Sequence, residues 1–139
     1  MLPATKNILV FVAALLATPT AALAAFVEFV MDVPVSVRDM NGRTIEHTIK
    51  VTVFRDDARD KGPWLILNHG RPSKPEDFAR MGRQRYAANS QYFVSKGFVV
   101  FVPTRVGYGV TGGEDVENSG ACNARNFAPG LAAVADQTQ

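Results

Sequence analysis

Apolar and polar residues alternate in two segments near the start of the chain. Every odd position is apolar between residues 27 and 37, and residues 45–53 alternate in a similar way. This pattern predicts strands with one buried face. Asp39-Met40-Asn41-Gly42 lies between them and is rich in residues that tolerate a positive φ angle. The two segments therefore predict an antiparallel hairpin, with His47 as a packed residue of its apolar face rather than a base.

The apolar pattern becomes continuous at residues 64–67 and again at 98–102. Continuous runs predict strands that are covered on both faces. The segment between them has a helical spacing of packing residues, namely Tyr86, Ser90, Phe93 and Val94, and Lys96-Gly97 is a typical helix end. We expect a right-handed parallel strand–helix–strand crossover.

A glycine-rich loop is expected at residues 104–126. Pro129 can begin a second helix, in which Leu131 and Val134 share a face. The predicted fold class is therefore α/β.

The first two dozen residues have the composition of a signal peptide. Lys6 precedes an apolar run at residues 8–16, and Ala22-Leu23-Ala24 has the small-x-small pattern of a cleavage site. A membrane anchor is the alternative, but the run is too short to span about 30 Å of hydrocarbon. We predict a signal peptide at residues 1–24 and an exported chain at 25–139, periplasmic or secreted, with no membrane attachment after cleavage.

Composition and charge exclude several kinds of partner. The 139 residues are 47% hydrophobic with a formal net charge of +2, which fits one small domain and does not indicate nucleic acid binding. His47 and His69 lie on different strands without other ligands at suitable spacing, so no metal and no cofactor are expected. A basic cluster is interpreted as solvated surface, with steering of a carboxylate substrate as the alternative; its members are Arg71, Lys74, Arg80, Arg83 and Arg85.

Cys122 is the single cysteine of the sequence. In an oxidising compartment it is either a small buried residue or half of a disulfide with a cysteine outside this sequence. The sequence does not separate these alternatives.

Two motifs follow the two buried strands. Asn68-His69-Gly70-Arg71 comes after the first, and residues 105–113, with the pattern R-x-G-x-G, come after the second. Together with the order of elements, residues 27–139 resemble the α/β-hydrolase family, in particular its secreted dienelactone-hydrolase-like and esterase-like members. The resemblance implies the N-terminal half of a hydrolase sheet, with an ester or lactone as the small-molecule substrate.

The resemblance also implies a role for the His-Gly turn. The residue after His69 and Gly70 is Arg71, whose backbone N–H would stabilise the oxyanion of a tetrahedral intermediate by about 3 kcal/mol. Pro72 has no N–H and would stiffen the turn. The alternative is that His69 and Gly70 only terminate a strand.

The sequence departs from the family at the nucleophile. No G-x-S-x-G pentapeptide occurs, and the candidate hydroxyls lie in loops or on the helix, namely Ser73, Ser90, Ser95 and Ser119. We therefore expect a partial domain at residues 25–139, truncated before the nucleophile strand, without a triad and inactive alone. Exposed apolar edges would make it poorly soluble.

Three alternatives remain. Residues 107–112 match G-x-G-x-x-G, the pattern of a dinucleotide-binding turn, although acidic residues follow where an apolar helix should open. The chain could instead be a noncatalytic exported binding module with its site above Gly70 and Gly107. It could also be a truncated product without a function of its own.

Overall fold

The alternating segments form the predicted hairpin. The computed structural model describes residues 26–59 and 61–139, so the predicted signal peptide at residues 1–24 lies outside the described residues. Strand β1 (Phe26–Arg38) pairs antiparallel with β2 (Thr44–Asp56) along its whole length. The turn is closed by the N–H of Gly42, which donates to the carbonyl of Asp39 at 3.0 Å. Strand β2 extends to Asp56, beyond the alternating residues 45–53.

The strand–helix–strand unit is also present. Strand β3 (Trp64–Ile66) leads through two short 3-10 helices, Pro75–Asp77 and Ala79–Met81, into helix α1 (Ala87–Ser95) and then strand β4 (Val99–Thr104). Strands β3 and β4 are parallel, as predicted, whereas β2 and β4 are antiparallel. The result is a mixed four-stranded sheet of order β1-β2-β4-β3. The chain is therefore of the α/β class.

The side chains of the sheet alternate between two hydrophobic clusters because successive residues of a strand point to opposite faces. Phe54, Val100 and Val102 pack with Val94 of α1 in one cluster. Val51, Val53 and other side chains of the hairpin pack with Ala133 in the other. The two helices thus cover opposite faces of the sheet.

Helix α2 (Phe127–Asp136) begins two residues before the predicted start at Pro129. The side chain of Asn126 caps it by accepting from the N–H of Ala128 at 3.1 Å, and a proline is tolerated within the first turn. The predicted loop at residues 104–126 is confirmed from Arg105 to this cap, whereas Thr104 is the last residue of β4. None of the helices in the described residues has the length and hydropathy needed to cross a bilayer.

The prediction that both buried strands are covered on both faces is wrong for β3. Trp64 is 67% exposed, and Phe29 and Met31 at the far end of β1 are also exposed. Helix α2 packs against β1 near Arg38, whose N–H donates to Asp136, and it does not reach this region. We call the uncovered surface formed by Phe29, Met31, Trp64, Ile66 and Phe101 the open sheet face.

Candidate functional site

The two motifs after the buried strands lie side by side. Because β3 and β4 are parallel, their carboxyl ends meet at one edge of the sheet, where α/β proteins place their ligand sites. Leu67 extends the pairing by donating to Phe101 at 2.9 Å, and the His-Gly turn follows at once. At the end of β4 the N–H of Arg105 points to Nε2 of His69 at 3.3 Å.

His69 is a buried structural residue of this edge. Since Nε2 accepts from Arg105, the ring proton resides on Nδ1, which donates to the carbonyl of Gly70 at 2.7 Å. Burial lowers the pKa of His69 below its usual 6.5, and the charge of Arg105 acts in the same direction. Both ring nitrogens are therefore occupied and the ring is neutral, which makes His69 a support for the turn rather than a base.

A buried ion pair connects the His-Gly turn to the glycine-rich loop. The guanidinium of Arg105 contacts the carboxylate of Glu117 at 2.5 and 3.1 Å, and the two side chains are only 3% and 4% exposed. Nη1 of Arg105 also donates to the carbonyl of His69 at 3.0 Å. The side chain of Arg105 thus holds both segments at once.

Tyr108 and Arg71 extend this network towards solvent. The hydroxyl of Tyr108 donates to Glu117 at 2.9 Å and accepts from Arg71 at 2.9 Å. Burial, together with the charge of Glu117, raises the pKa of Tyr108, so the phenol stays protonated. Arg71 forms a two-bond ion pair with Asp115 at 2.6 and 2.5 Å, and its guanidinium lies 4.5 Å from the ring centre of Phe78. The hydrogen bonds to Asp115 raise the pKa of Arg71.

The glycines at residues 107–112 allow the chain to form a tight turn. Gly107 donates to the carbonyl of Gly112 at 2.6 Å, and Gly109, at φ +42°, lies so close to the carbonyl of Gly82 that any side chain would collide with it. The next helix along the chain is α2, which begins at Phe127. The helix that a dinucleotide-binding turn requires immediately after its glycines is therefore not formed here.

A cleft of about 540 Å³ adjoins the network. Residues 71–78 form one wall, the buried pair Arg105–Glu117 lies at its base, and residues 117–120 and the start of α2 form the other wall. Leu131 and Val134 share a face of α2, as the sequence indicates, and line the cleft together with Gly130, while Ala133 faces the core. The volume is within the range of small-molecule sites, about 300–1,000 Å³.

The other candidate residues are those of the basic cluster and His47. Most of the basic cluster is neutralised by acidic partners: Arg71 by Asp115, Arg80 by Asp77, and both Arg83 and Arg85 by Glu28. This pairing accords with the interpretation of a solvated surface. His47 packs against Gly113, which is consistent with its predicted structural role.

The structure excludes one of the two alternatives predicted for Cys122. Its side chain is exposed, in a turn where Arg125 lies 3.2 Å from the sulfur, so the interpretation as a buried residue is wrong. The loop at residues 119–126 contacts solvent on the rim of the cleft and offers no core position to the thiol. The disulfide alternative stays a prediction.

Sequence reasoning missed three members of the network, namely Tyr108, Asp115 and Glu117. For Glu117 the sequence signal is Arg105 at the end of a buried strand, because a buried guanidinium requires a carboxylate partner. Glu117 is the third carboxylate after Arg105 along the chain, following Glu114 and Asp115.

Comparison with protein-family models gives no match, and a search of curated proteins finds no similar sequence. Within residues 26–59 and 61–139, no group of three or more His, Cys, Asp or Glu side chains is arranged to hold a metal ion.

Proposed function

We propose that residues 25–139 form the N-terminal half of an exported α/β-hydrolase domain, and that the N–H of Arg71 is an oxyanion donor for the hydrolysis of an ester or lactone. The main support is the position of the His-Gly turn. It lies in the loop between β3 and α1, the loop that supplies an oxyanion N–H in α/β-hydrolases. Export depends on Lys6, the apolar run at residues 8–16 and the Ala22-Leu23-Ala24 pattern.

The hydrogen bonding of the turn supports this role. In the described part of the chain, the N–H of Arg71 donates to no protein acceptor, although the carbonyl and the ring of the preceding His69 are both held. Arg71 also lines the cleft. A donor that is fixed before the substrate binds stabilises a developing negative charge without reorganisation, which is how an oxyanion hole accelerates acyl transfer.

The reaction requires groups that these residues do not supply. The 139 residues contain no G-x-S-x-G elbow, and the hydroxyl of Ser90 is buried and donates to the carbonyl of Arg85 at 2.9 Å. We assign the nucleophile, acid and base to polypeptide outside this sequence. Strand β3 pairs only with β4 among the described residues, so its outer edge can accept the strand that bears the nucleophile.

The position of α2 is compatible with the addition of such a strand beside β3. Residues 137–139, directly after the helix, lie in a groove with Ile66 and Phe101. A polypeptide that continued from Gln139 would start over the open sheet face, next to the free edge of β3. A helical crossover of this kind joins parallel neighbours in α/β sheets.

A noncatalytic binding module is the second candidate, and the cleft of about 540 Å³ favours it. Binding needs only the cleft, whereas hydrolysis needs the missing groups. The two functions therefore differ in whether a serine reacts.

The experiment is labelling with a fluorophosphonate, combined with turnover of 4-nitrophenyl butyrate. The 139-residue chain should show neither, and a product extended by the coding sequence downstream of Gln139 should show both, with the label on the serine of a new elbow. A label on any serine within residues 25–139 would overturn the assignment of the nucleophile to polypeptide outside the sequence.

Arg71 supplies a matched pair of variants for the extended product. Arg71→Pro removes the backbone N–H together with the side-chain contacts and should lower kcat by about 10²- to 10³-fold. Arg71→Ala keeps the N–H and loses the same side-chain contacts, namely the ion pair with Asp115, the hydrogen bond to Tyr108 and the contact with Phe78. Circular dichroism spectra of both variants would verify the fold. Equal losses in the two variants would refute the oxyanion role.

A further inference from the structure

The charges of the cleft do not balance. Three arginines line it, namely Arg71, Arg105 and Arg125. Arg71 is neutralised by Asp115 and Arg105 by Glu117, but Arg125 forms no ion pair with any described residue. Three arginines against two carboxylates leave one positive charge, located at the guanidinium of Arg125.

The walls of the cleft are apolar and aromatic. Phe78 forms the inner wall, and Phe127 and Leu131 form the rim on α2, where they are 59% and 69% exposed. Large apolar side chains that are exposed beside a cavity favour a ligand with an apolar body, because its binding removes their surface from water.

The position of α2 is fixed by close contact with the network. A Cβ atom at Gly130 would lie 2.9 Å from the carbonyl oxygen of Glu117, so the helix packs directly on the backbone of the buried pair. The loop between Glu117 and α2 is closed by a hydrogen bond from the N–H of Asn126 to the carbonyl oxygen of Ser119 at 2.8 Å. Phe127 and Arg125 are therefore held at the same rim, on either side of this closure.

We propose that the cleft binds a monocarboxylic acid with an apolar aryl or alkyl body, with the carboxylate at Arg125 and the body against Phe78, Phe127 and Leu131. Arginine recognises carboxylates through two parallel N–H donors, which fixes the orientation of the ligand. The single uncompensated charge of the cleft selects one carboxylate over a neutral group. This binding needs no nucleophile, so it is independent of the proposed hydrolytic function.

The test is fluorescence titration of the 139-residue chain with 2-naphthoate and with its neutral isostere 2-naphthamide. Naphthoate should bind about fivefold tighter than naphthamide, as expected for one partly exposed charge pair, and the preference should fall as salt is added. Equal affinities, or no binding of naphthoate up to its solubility limit, would overturn the proposal.

Variants separate the charge from the apolar contact. Arg125→Gln should abolish the preference for naphthoate, and Arg125→Lys should keep most of it; Arg80→Gln is the control, because Arg80 is exposed, paired with Asp77 and outside the cleft. Phe127→Ala should weaken both ligands equally. A preference that survives in Arg125→Gln would refute the assignment, whatever the outcome of the fluorophosphonate experiment.

Discussion

Arg105 and Glu117 show how a single residue pair organises the candidate site. Charges as deeply buried as these are costly unless they are paired and fully hydrogen-bonded, and here Arg105 also binds the carbonyl of His69 while Glu117 accepts from Tyr108. No buried side-chain nitrogen or oxygen in the described residues lacks a partner. The pair therefore stabilises the turn and the loop together, and neither charge can be removed alone without a penalty.

Removal of one charge of the Arg105–Glu117 pair should lower the free energy of unfolding more than removal of both charges. Glu117→Leu leaves Arg105 buried without a counter-charge and should lower the free energy of unfolding by about 3–5 kcal/mol, whereas the double variant Arg105→Met/Glu117→Leu should lose less. Urea unfolding of the three proteins measures this. A double variant less stable than the single variant would contradict the assigned pairing.

His69 should make stability depend on pH. The pKa of His69 is lowered in the folded state, so between its folded value and the unfolded value near 6.5 the unfolded chain binds the extra proton. Stability from this group is complete above pH 6.5 and declines as the pH falls through that window, by at most about 1.4 kcal/mol per pH unit. Urea unfolding between pH 7.5 and 5.5 should show the decline in the natural chain.

His69→Gln is the control for this dependence. Glutamine has a donor and an acceptor but does not titrate, so its unfolding free energy should change less over the same range. An identical decline in both proteins would assign the pH dependence to other groups.

At the scale of elements, the sequence patterns predicted the four strands and the two α-helices, but neither the 3-10 helices at Pro75–Asp77 and Ala79–Met81 nor the order of the strands in the sheet. The alternation of residues 27–37 and the continuous run ending at Val102 gave the hairpin and the parallel pair. Nothing in these patterns indicates that β4 lies between β2 and β3, because strand order depends on contacts between distant segments. The start of α2 was misplaced because the cap of Asn126, rather than Pro129, decides where the helix begins.

Helix α2 provides a test of element packing. In a helix, Gly→Ala ordinarily stabilises by about 1 kcal/mol, but at Gly130 the new Cβ would lie 2.9 Å from the carbonyl oxygen of Glu117. We expect Gly130→Ala to lower the thermal midpoint, because α2 must move away from the buried pair.

Ala132→Gly on the exposed side of α2 is the matched control for propensity. It should cost about 1 kcal/mol through helix propensity alone, without change in naphthoate binding. An increase in Tm for Gly130→Ala would contradict the close packing of α2 on Glu117.

At the scale of the whole molecule, the two helices cover only part of the sheet, and Phe26 and Val30 on the face of α1 also remain exposed. On the opposite side of the sheet, the open sheet face presents Phe29, Met31 and Trp64 to solvent. The candidate site was predictable from the sequence only in part. The His-Gly turn could be located from sequence, whereas its supporting network could not, since Glu117 reaches Arg105 only through the folded loop.

The open sheet face should cause self-association. An exposed apolar face beside an unpaired strand edge favours contact with other chains, so sedimentation velocity should show larger species as the concentration of the 139-residue chain rises. The double variant Met31→Lys/Trp64→Lys should shift the distribution towards monomer. A natural chain that stays monomeric and melts sharply would contradict the prediction.

The most direct test of the proposed hydrolase is the coding sequence that follows the codon of Gln139, translated in all three forward frames. We predict that one frame encodes an apolar strand leading into G-x-S-x-G, and then an acid and a histidine in that order. Such a sequence would supply the nucleophile that the turn at Arg71 requires. A region with no such frame would contradict the hydrolase assignment and leave the cleft as a binding site alone.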